Sequence, residues 1–331
     1  MLNLKTDAMK AVLYRNYGPP EVLFIQEIPL PIPKRNEVLI RVRATTVTSA
    51  DWRARSFTMP AGFELLGRLI LGVKRPRQAI LGTELSGDVV AIGSSVTRYR
   101  IGDRVFAFSG SKMGCYVEYK CFPENGPIAK IPLNISYEQA AGISFGGATM
   151  LDFFSKGALA KGERVLINGA SGGVGTAAVQ LAKHFGAHVT AVCSTSNLAM
   201  AKEIGADCLI DYTQQDFTQL GDYYDVIVDT VGTAPYAKCL PVLSSGGRLL
   251  LIISSISDMF RMLWINAFYD TQIIAAPATE DPRYIQRLSE LTQSGAFTPV
   301  IDRCYPFDQI AEAHRYVDGG HKKGNVVVTF P

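Results

Sequence analysis

The stretch from Val165 to Thr176, V-L-I-N-G-A-S-G-G-V-G-T, decides the fold of this chain. The apolar run Val165-Leu166-Ile167 stops at a glycine-rich turn, and Ala177, Ala178, Leu181, Ala182 and Phe185 then recur at helical spacing as far as Gly186. That succession predicts a strand, a tight turn and a helix. Gly169, Gly172 and Gly175 stand in the register G-x-x-G-x-x-G, one residue longer between its first pair than the dinucleotide fingerprint. Each glycine has a physical task in such a turn: one bends the chain sharply, one lets backbone N–H groups approach a diphosphate, and one lets helix and strand pack closely. A helix starting near Gly173 turns its free N–H groups and the positive end of its dipole toward that site, with Ala170, Ser171 and Val174 completing the cradle. A plain connection between strand and helix uses the same glycines, so context carries the reading. A second strand, His188 to Cys193, follows at βαβ distance, and further pairs follow it.

Working outward, 331 residues exceed one ordinary core, so two domains are expected. A content of 47% hydrophobic and 19% charged residues with net charge +3 describes a globular protein and gives no reason to expect nucleic acid. Six scattered cysteines without a C-x-x-C pair, behind no secretory signal, fit a reducing cytoplasm. No apolar run reaches the length of a membrane span, so stable membrane insertion is not expected. Met1 to Ala8 reads as a short extension ahead of Met9.

From Met9 to about Lys130 the pattern is one of short strands and turns: Lys10 to Arg15, Glu21 to Ile28, a half-buried strand around Val38 to Arg43, Leu85 to Ile92, Arg104 to Phe108 and Cys115 to Phe122. This part is expected to form a β-rich, barrel-like domain. Phe57 to Ile80, where Leu65, Leu66, Leu69 and Ile70 stand beside Arg68, Lys74, Arg75 and Arg77, reads as a long loop. It would serve as a lid over a substrate cleft in preference to a weak membrane-surface contact, because a stable interfacial anchor wants more than one short patch. At Ser136 a capping box with Gln139 opens a helical run. Beyond it strands at 164–168, 188–193, 208–210, 226–229, 248–253 and 272–276 alternate with helices, which predicts an α/β, doubly wound parallel sheet. The tail, with Val300 to Cys304, Phe307 to Val317 and Asn325 to Phe330, returns to mixed strand and helix.

With M-K-A-V-L at Met9, G-D-R-V at Gly102, A-S-G-G-V-G at Ala170, G-A-D at Gly205 and G-H-K-K-G-N-V-V-V at Gly320, nearly the whole chain resembles the medium-chain dehydrogenase/reductase superfamily. It is most similar to the zinc-free branch of quinone oxidoreductases and NADPH-dependent enone reductases. The resemblance implies a chaperonin-10-like β-barrel catalytic domain over 1–128, an NADP-binding Rossmann domain over 129–278, a segment 279–331 that rejoins the barrel, and substrate bound in the cleft between domains. The alcohol dehydrogenases of this superfamily hold a catalytic zinc with Cys, His and a second Cys or Asp. Here Thr45 to Asp51 reads T-T-V-T-S-A-D where the first Cys would stand, and Gly82-Thr83-Glu84 replaces G-H-E. A tetrahedral zinc site is therefore not expected.

The same resemblance maps the nicotinamide-contacting threonine onto Thr149. It places the carboxamide against backbone at Ile253, Ser254 and Ala276 to Ala278, and begins the substrate pocket at Asp51, Trp52 and Arg53 with Phe145 on the helix opposite. Read from residue type alone, Asp51 is a cap or turn residue and Trp52 a packing residue. An NAD site puts a carboxylate about 20 residues past the first glycine. This strand instead ends Cys193-Ser194-Thr195-Ser196-Asn197. Ser194 and Asn197 can bond a 2′-phosphate, the family adds Tyr212, and Lys322 with Lys323 can add positive charge, so NADP(H) is the expected cofactor.

Together these readings lead to hydride transfer from NADPH to a small conjugated carbonyl compound, a quinone or an α,β-unsaturated ketone or aldehyde. Thr149 would contact the cofactor, and Asp51 is the candidate proton donor. The alternatives are an NADP-dependent alcohol or aldehyde oxidoreductase of the same superfamily and an NADPH-binding protein with little turnover. The four histidines show no ligand spacing. Pairing of the Gln272 to Ala276 edge across a two-fold axis would give a homodimer.

Overall fold

The computed structural model describes residues 7–331, so most of the expected Met1 to Ala8 extension lies outside the described residues. Two compact units form: one from the chain up to Met59 with Leu65–Phe145 and Glu280–Pro331, the other from Pro60–Glu64 with Gly146–Thr279.

The first unit begins with the hairpin β1 (Ala8–Tyr14) and β2 (Leu23–Pro29), with Ala8 already paired to Pro29. There follow β3 (Glu37–Thr46), α1 (Ser49–Ser56), α2 (Glu64–Leu71), β4 (Glu84–Ile92), β5 (Arg104–Phe108), β6 (Tyr119–Pro123), β7 (Ile128–Lys130) and α3 (Tyr137–Ala141). α1 starts because Thr48 and Asp51 close a capping box, and it ends at Phe57, which takes a left-handed φ of 56°. Ser136 and Gln139 cap α3 in the expected way. The stretch expected as a loop over Phe57 to Ile80 contains α2. In β3, Leu39 is as buried as Val38, Ile40 and Val42, so this central strand, paired with both β4 and β6, is covered on both faces there.

α4 (Ser144–Lys156) leads into the second unit, which holds β8 (Arg164–Asn168), α5 (Gly173–His184), β9 (His188–Cys193), α6 (Leu198–Glu203), β10 (Cys208–Asp211), β11 (Tyr224–Asp229), α7 (Tyr236–Cys239), β12 (Leu243–Leu251), α8 (Ile256–Phe268) and β13 (Gln272–Ile274). The six strands are parallel, in the order β10-β9-β8-β11-β12-β13. That is the doubly wound order of a dinucleotide-binding sheet, with its switch point between β8 and β11. Leu166, Val192, Ile227, Leu249 and Ile273 form its core. One crossover departs from the expected rhythm. Between β10 and β11 stands only a 3₁₀ turn, Phe217–Gln219, because this polar stretch has no apolar helical period and Asp216 bonds its own chain at Thr218.

The chain closes with α9 (Pro282–Gln293), β14 (Ile301–Pro306), α10 (Ile310–Asp318) and β15 (Asn325–Thr329). β15 inserts between β14 and β3, giving the sheet β14-β15-β3-β4-β5-β7 with β6 also on β3. Val38, Ile40, Leu85, Tyr116 and Val326 pack inside it. The first unit runs on to Phe145, beyond the seam expected at 129, because α3 belongs to the barrel: Ala141 packs on Ala44 and Val327, and Ser86 Oγ donates to the Tyr137 carbonyl at 2.6 Å.

Candidate active site

In the second unit the chain turns at Gly169 with φ of +81°, and a side chain there would come within 2.5 Å of Thr230 Oγ1. At Gly175 a Cβ would lie 2.0 Å from the Gly169 carbonyl oxygen, so this glycine lets α5 close on the turn. Gly172 faces open space, its nearest neighbour 3.8 Å away. It caps α5 without a side-chain hydrogen bond. The first-turn N–H groups of α5 therefore face an uncluttered approach for an anion. Ser171, Gly172, Gly173 and Val174 are partly exposed, whereas Ala170 is buried. Gly146 on α4 fits against the start of α5 for the same steric reason, with a Cβ 2.5 Å from the Gly173 oxygen.

Asp229, at the end of β11, closes the other side of the switch point. Its Oδ1 accepts from Asn168 Nδ2 at 3.0 Å and from the Val231 and Gly232 N–H groups, and its Oδ2 accepts from Ala234 N–H at 2.8 Å. Thr230 Oγ1 donates to the Asn168 oxygen at 2.9 Å. Sequence reading missed this D-T-V-G-T brace. A carboxylate followed by a glycine at a strand end is its signal.

At the tip of β9 the residues expected around a 2′-phosphate differ in how open they are. Asn197 is buried and its Nδ2 donates to Ser194 Oγ at 3.0 Å. Tyr212 is 59% exposed. A carboxylate does stand here: Asp211 of β10, in register with Cys193, accepts from Thr195 Oγ1 and from Thr213, and these bonds hold it below the usual carboxylate range. Lateral pairing of strands brings it to a place that counting along β9 cannot reach.

Ile253 and Ser254 follow the end of β12, and Ser255 caps α8 through a capping box with Asp258. β13 ends at Ile274, earlier than expected, because the Ala275 N–H turns to Met262 Sδ at 3.4 Å. Thr149 is buried on α4, one turn before Asp152. Asp152 Oδ2 accepts from the Thr279 N–H at 3.0 Å, and Lys156 Nζ reaches the Pro277 oxygen at 3.2 Å. α4 thus holds the 277–279 segment, Ala278 included, on the helix that carries Thr149.

In the first unit Asp51 is wholly buried. Its Oδ1 accepts from Gly82 N–H at 2.8 Å and its Oδ2 from Thr48 N–H and Oγ1. Burial pushes its carboxyl up to about 6. The expected proton-donor role is corrected: Asp51 is shut off from solvent, caps α1 and ties it to the Gly82 turn. Trp52 is half-buried against the barrel core with Arg53 stacked over it at 5.2 Å. Lys322, expected at the cofactor phosphate, lies in the barrel unit. Its Nζ donates to the Gly324 oxygen at 2.7 Å, and burial lowers it to about 8.

Glu84, the last residue of the Gly82-Thr83-Glu84 stretch, has no role assigned to it by the sequence reading. Its Oε1 accepts from Thr46 Oγ1 at 2.5 Å, while Oε2 accepts from the N–H groups of Ser144 and Phe145 at 2.9 and 2.7 Å. It therefore caps the start of α4, and Phe145 is held there through its backbone. Burial pushes the Glu84 carboxyl up to about 7 from an ordinary 4.5. A folded-state value above the unfolded one means that the folded protein binds the proton more tightly. This contribution to stability is therefore complete below the unfolded value and is lost as pH rises toward 7. Between pH 4.5 and 7.5 the protein is expected to lose on the order of 3 kcal/mol relative to Glu84→Gln, at 1.36 kcal/mol per unit. Urea unfolding at both pH values measures it, and parallel pH profiles would refute it.

A second buried network joins α1 to α10. Arg55, fully buried, donates from Nη2 to Asp318 at 2.6 Å, from Nη1 to the Gly18 oxygen at 2.7 Å and from Nε to His314 Nδ1 at 3.2 Å. His314 therefore carries its proton on Nε2 and donates it to Tyr116 Oη, 3.1 Å away, while Tyr116 donates to the Thr46 oxygen at 3.3 Å. Burial, aided by Arg55, lowers His314 to about 3, so it stays neutral.

Two units of this kind, a GroES-like barrel and a doubly wound sheet with a glycine turn at its switch point, define a class of dehydrogenases and reductases. Two families match the chain: "Alcohol dehydrogenase GroES-like domain" over residues 34–133 and "Zinc-binding dehydrogenase" over 204–328. The 2-methylene-furan-3-one reductase of Solanum lycopersicum is 31% identical over 97% of this chain and 79% of its own length. The chloroplastic NADPH-dependent alkenal/one oxidoreductase of Arabidopsis thaliana is 30% identical over 99% and 82%. The quinone oxidoreductase structure from Coxiella burnetii aligns with a TM-score of 0.84 at 27% identity, covering 98% of this chain and 99% of that one. The chain belongs to the medium-chain dehydrogenase/reductase superfamily.

The second family's name raises the question of zinc. Thr83 offers a hydroxyl, 3.4 Å from Thr48 Oγ1, where an imidazole would be needed. Asp51 and Glu84 have committed their oxygens to N–H and O–H donors. The Cys115 thiol is pushed up to about 12 by burial. Among the described residues no three His, Cys, Asp or Glu side chains gather. This donor set does not fit zinc.

Proposed function

We infer that the protein is an oxidoreductase that reduces a conjugated carbonyl compound, a quinone or an α,β-unsaturated ketone or aldehyde, using NADPH and no zinc. The observation that carries the reading is the open Gly172 at the start of α5, which no side chain caps, set at the switch point of the sheet. The names of the relatives support the substrate class and the cofactor.

When bound, NADPH supplies the hydride. The residues from Gly169 to Gly175 would hold its diphosphate by backbone N–H groups, and Ser194, Asn197 and Tyr212 would meet the 2′-phosphate. Thr149 with the backbone at Ile253, Ser254, Ala276 and Ala278 would orient the reacting ring. Trp52 and Phe145 are proposed to border the substrate. Asp211 weakens the preference for the extra phosphate, since its ionised carboxylate lies beside Thr195. Turnover is expected with NADPH and a panel of quinones and enones, unchanged after dialysis against a chelator. Tighter binding of NADH than of NADPH would overturn the cofactor reading, and NADPH binding without turnover of any panel member would leave a nucleotide-binding protein.

We extend the reading to a cytoplasmic homodimer. All six cysteines are free thiols, which fits a reducing compartment. The outward peptide groups of Ile273 on β13 are taken by the Asn266 side chain at 2.7 and 2.9 Å. Copies would therefore meet through the exposed face of α8, Phe260, Leu263, Trp264 and Phe268, in place of strand-edge pairing. Sedimentation as a monomer at micromolar concentration would refute the dimer.

A further inference from the structure

We propose that α2 and the turn after it form a docking surface for an anionic lipid bilayer. The helix is built inside out for a surface element. Leu65, Leu66, Leu69 and Ile70 are 76, 44, 55 and 60% exposed, Val73 is 61% exposed, and its one buried residue is Gly67. This orientation is fixed by contacts on the inner side. The Arg68 guanidinium lies 3.8 Å from the Phe57 ring centroid and 5.2 Å from that of Tyr17. Its Nη1 donates to the Val73 oxygen at 3.1 Å, Tyr17 Oη donates to the Gly72 oxygen at 2.9 Å, and a Cβ on Gly67 would touch Met59 at 3.0 Å. A cationic side chain is spent on anchoring, and the aliphatic ones are left outside.

Charge selects the occupant. From Leu65 to Thr83 the chain has no acidic residue, while Lys74, Arg75 and Arg77 stand exposed next to Val73. The whole chain holds 33 Lys and Arg against 30 Asp and Glu, so without Arg68, Lys74, Arg75 and Arg77 its net charge would change sign. Exposed aliphatic residues flanked by lysine and arginine match the boundary of an anionic bilayer, where acyl chains take the former and headgroups the latter. A protein-binding patch would be rich in aromatic residues at its centre, and this surface has no exposed aromatic residue. The docking claim stands independently of the enzymatic reading. Its consequence, access to carbonyl substrates that concentrate in lipid, rests on that reading.

The test is co-sedimentation of the full chain with phosphatidylcholine vesicles containing about 30% phosphatidylserine. The protein is expected to bind them and to lose at least tenfold in partition on pure phosphatidylcholine or in high salt. The variant Lys74→Gln, Arg75→Gln, Arg77→Gln is expected to lose about a hundredfold, at roughly fivefold per cation, and Leu69→Ser with Ile70→Ser a similar amount. Circular dichroism and NADPH titration check that both variants stay folded, and the triple change touches only exposed residues. The proposal fails if the protein does not bind anionic vesicles, or if neither variant weakens binding. It also fails if Leu69→Ser with Ile70→Ser dissociates a dimer, because a second copy would then cover the face.

Discussion

Gly175→Ala is expected to lower NADPH affinity at least a hundredfold, and Gly172→Ala at least tenfold, for different reasons. At Gly175 the new methyl would lie 2.0 Å from the Gly169 oxygen and 2.8 Å from the Ala170 backbone. Backbone cannot step aside as a side-chain tip can, so α5 must move away from the turn. Overpacking of this kind costs about 1–3 kcal/mol of stability as well. At Gly172 the added carbon meets nothing closer than 3.8 Å, and the φ of −77° suits alanine. Stability should then fall by no more than about 1 kcal/mol, since alanine is a poorer N-cap than glycine, while a diphosphate seated on the α5 N–H groups would be obstructed. Fluorescence titration of NADPH together with urea unfolding separates the two effects. Undiminished affinity in Gly172→Ala would remove the diphosphate from this turn and the proposed activity with it.

Arg55→Ala is expected to destabilise the barrel unit by about 3–5 kcal/mol, the cost of leaving buried partners without their cation. Three acceptors would be stranded: the Gly18 oxygen, His314 Nδ1 and the Asp318 carboxylate. Asp318→Asn should cost less, about 1–2 kcal/mol, because that side chain is 27% exposed and water can replace part of the bond. The order of the two variants is the test. Equal losses would mean that the ion pair alone carries the energy, and a loss below 1 kcal/mol for Arg55→Ala would show that the network holds little together. The first unfolding transition in urea is the measurement, since two units need not unfold together.

The sheet was legible because its signals are local. β8, β9 and β11 are short apolar runs bounded by turns, and Gly175 is required by contacts with Gly169 and Ala170 only a few residues away, whereas Gly169 is required by Thr230 and Val231 on the neighbouring strand end. The capping box at Ser136 is local in the same way as Gly175. Reading one strand at a time failed at the β9 tip, where Asp211 arrives from the neighbouring strand. It failed again at Glu84, whose partners Thr46, Ser144 and Phe145 come from distant parts of the chain. Family resemblance placed Asp51 near a substrate, whereas its residue type alone pointed to a cap or turn.

Sequence alone determined the βα order and the glycine-rich turn between β8 and α5, since periodicity and glycine geometry act within one or two turns of chain. Tertiary structure decided which polar groups are spent. Asp51, Glu84, Arg55 and His314 are taken out of water by burial and then saturated by partners up to 263 positions away. It also decided that the aliphatic side of α2 faces outward, with Arg68 on the inner side packed over Tyr17 and Phe57. Whether a charged or apolar side chain is free to act depends on what surrounds it in three dimensions, and no local pattern encodes that.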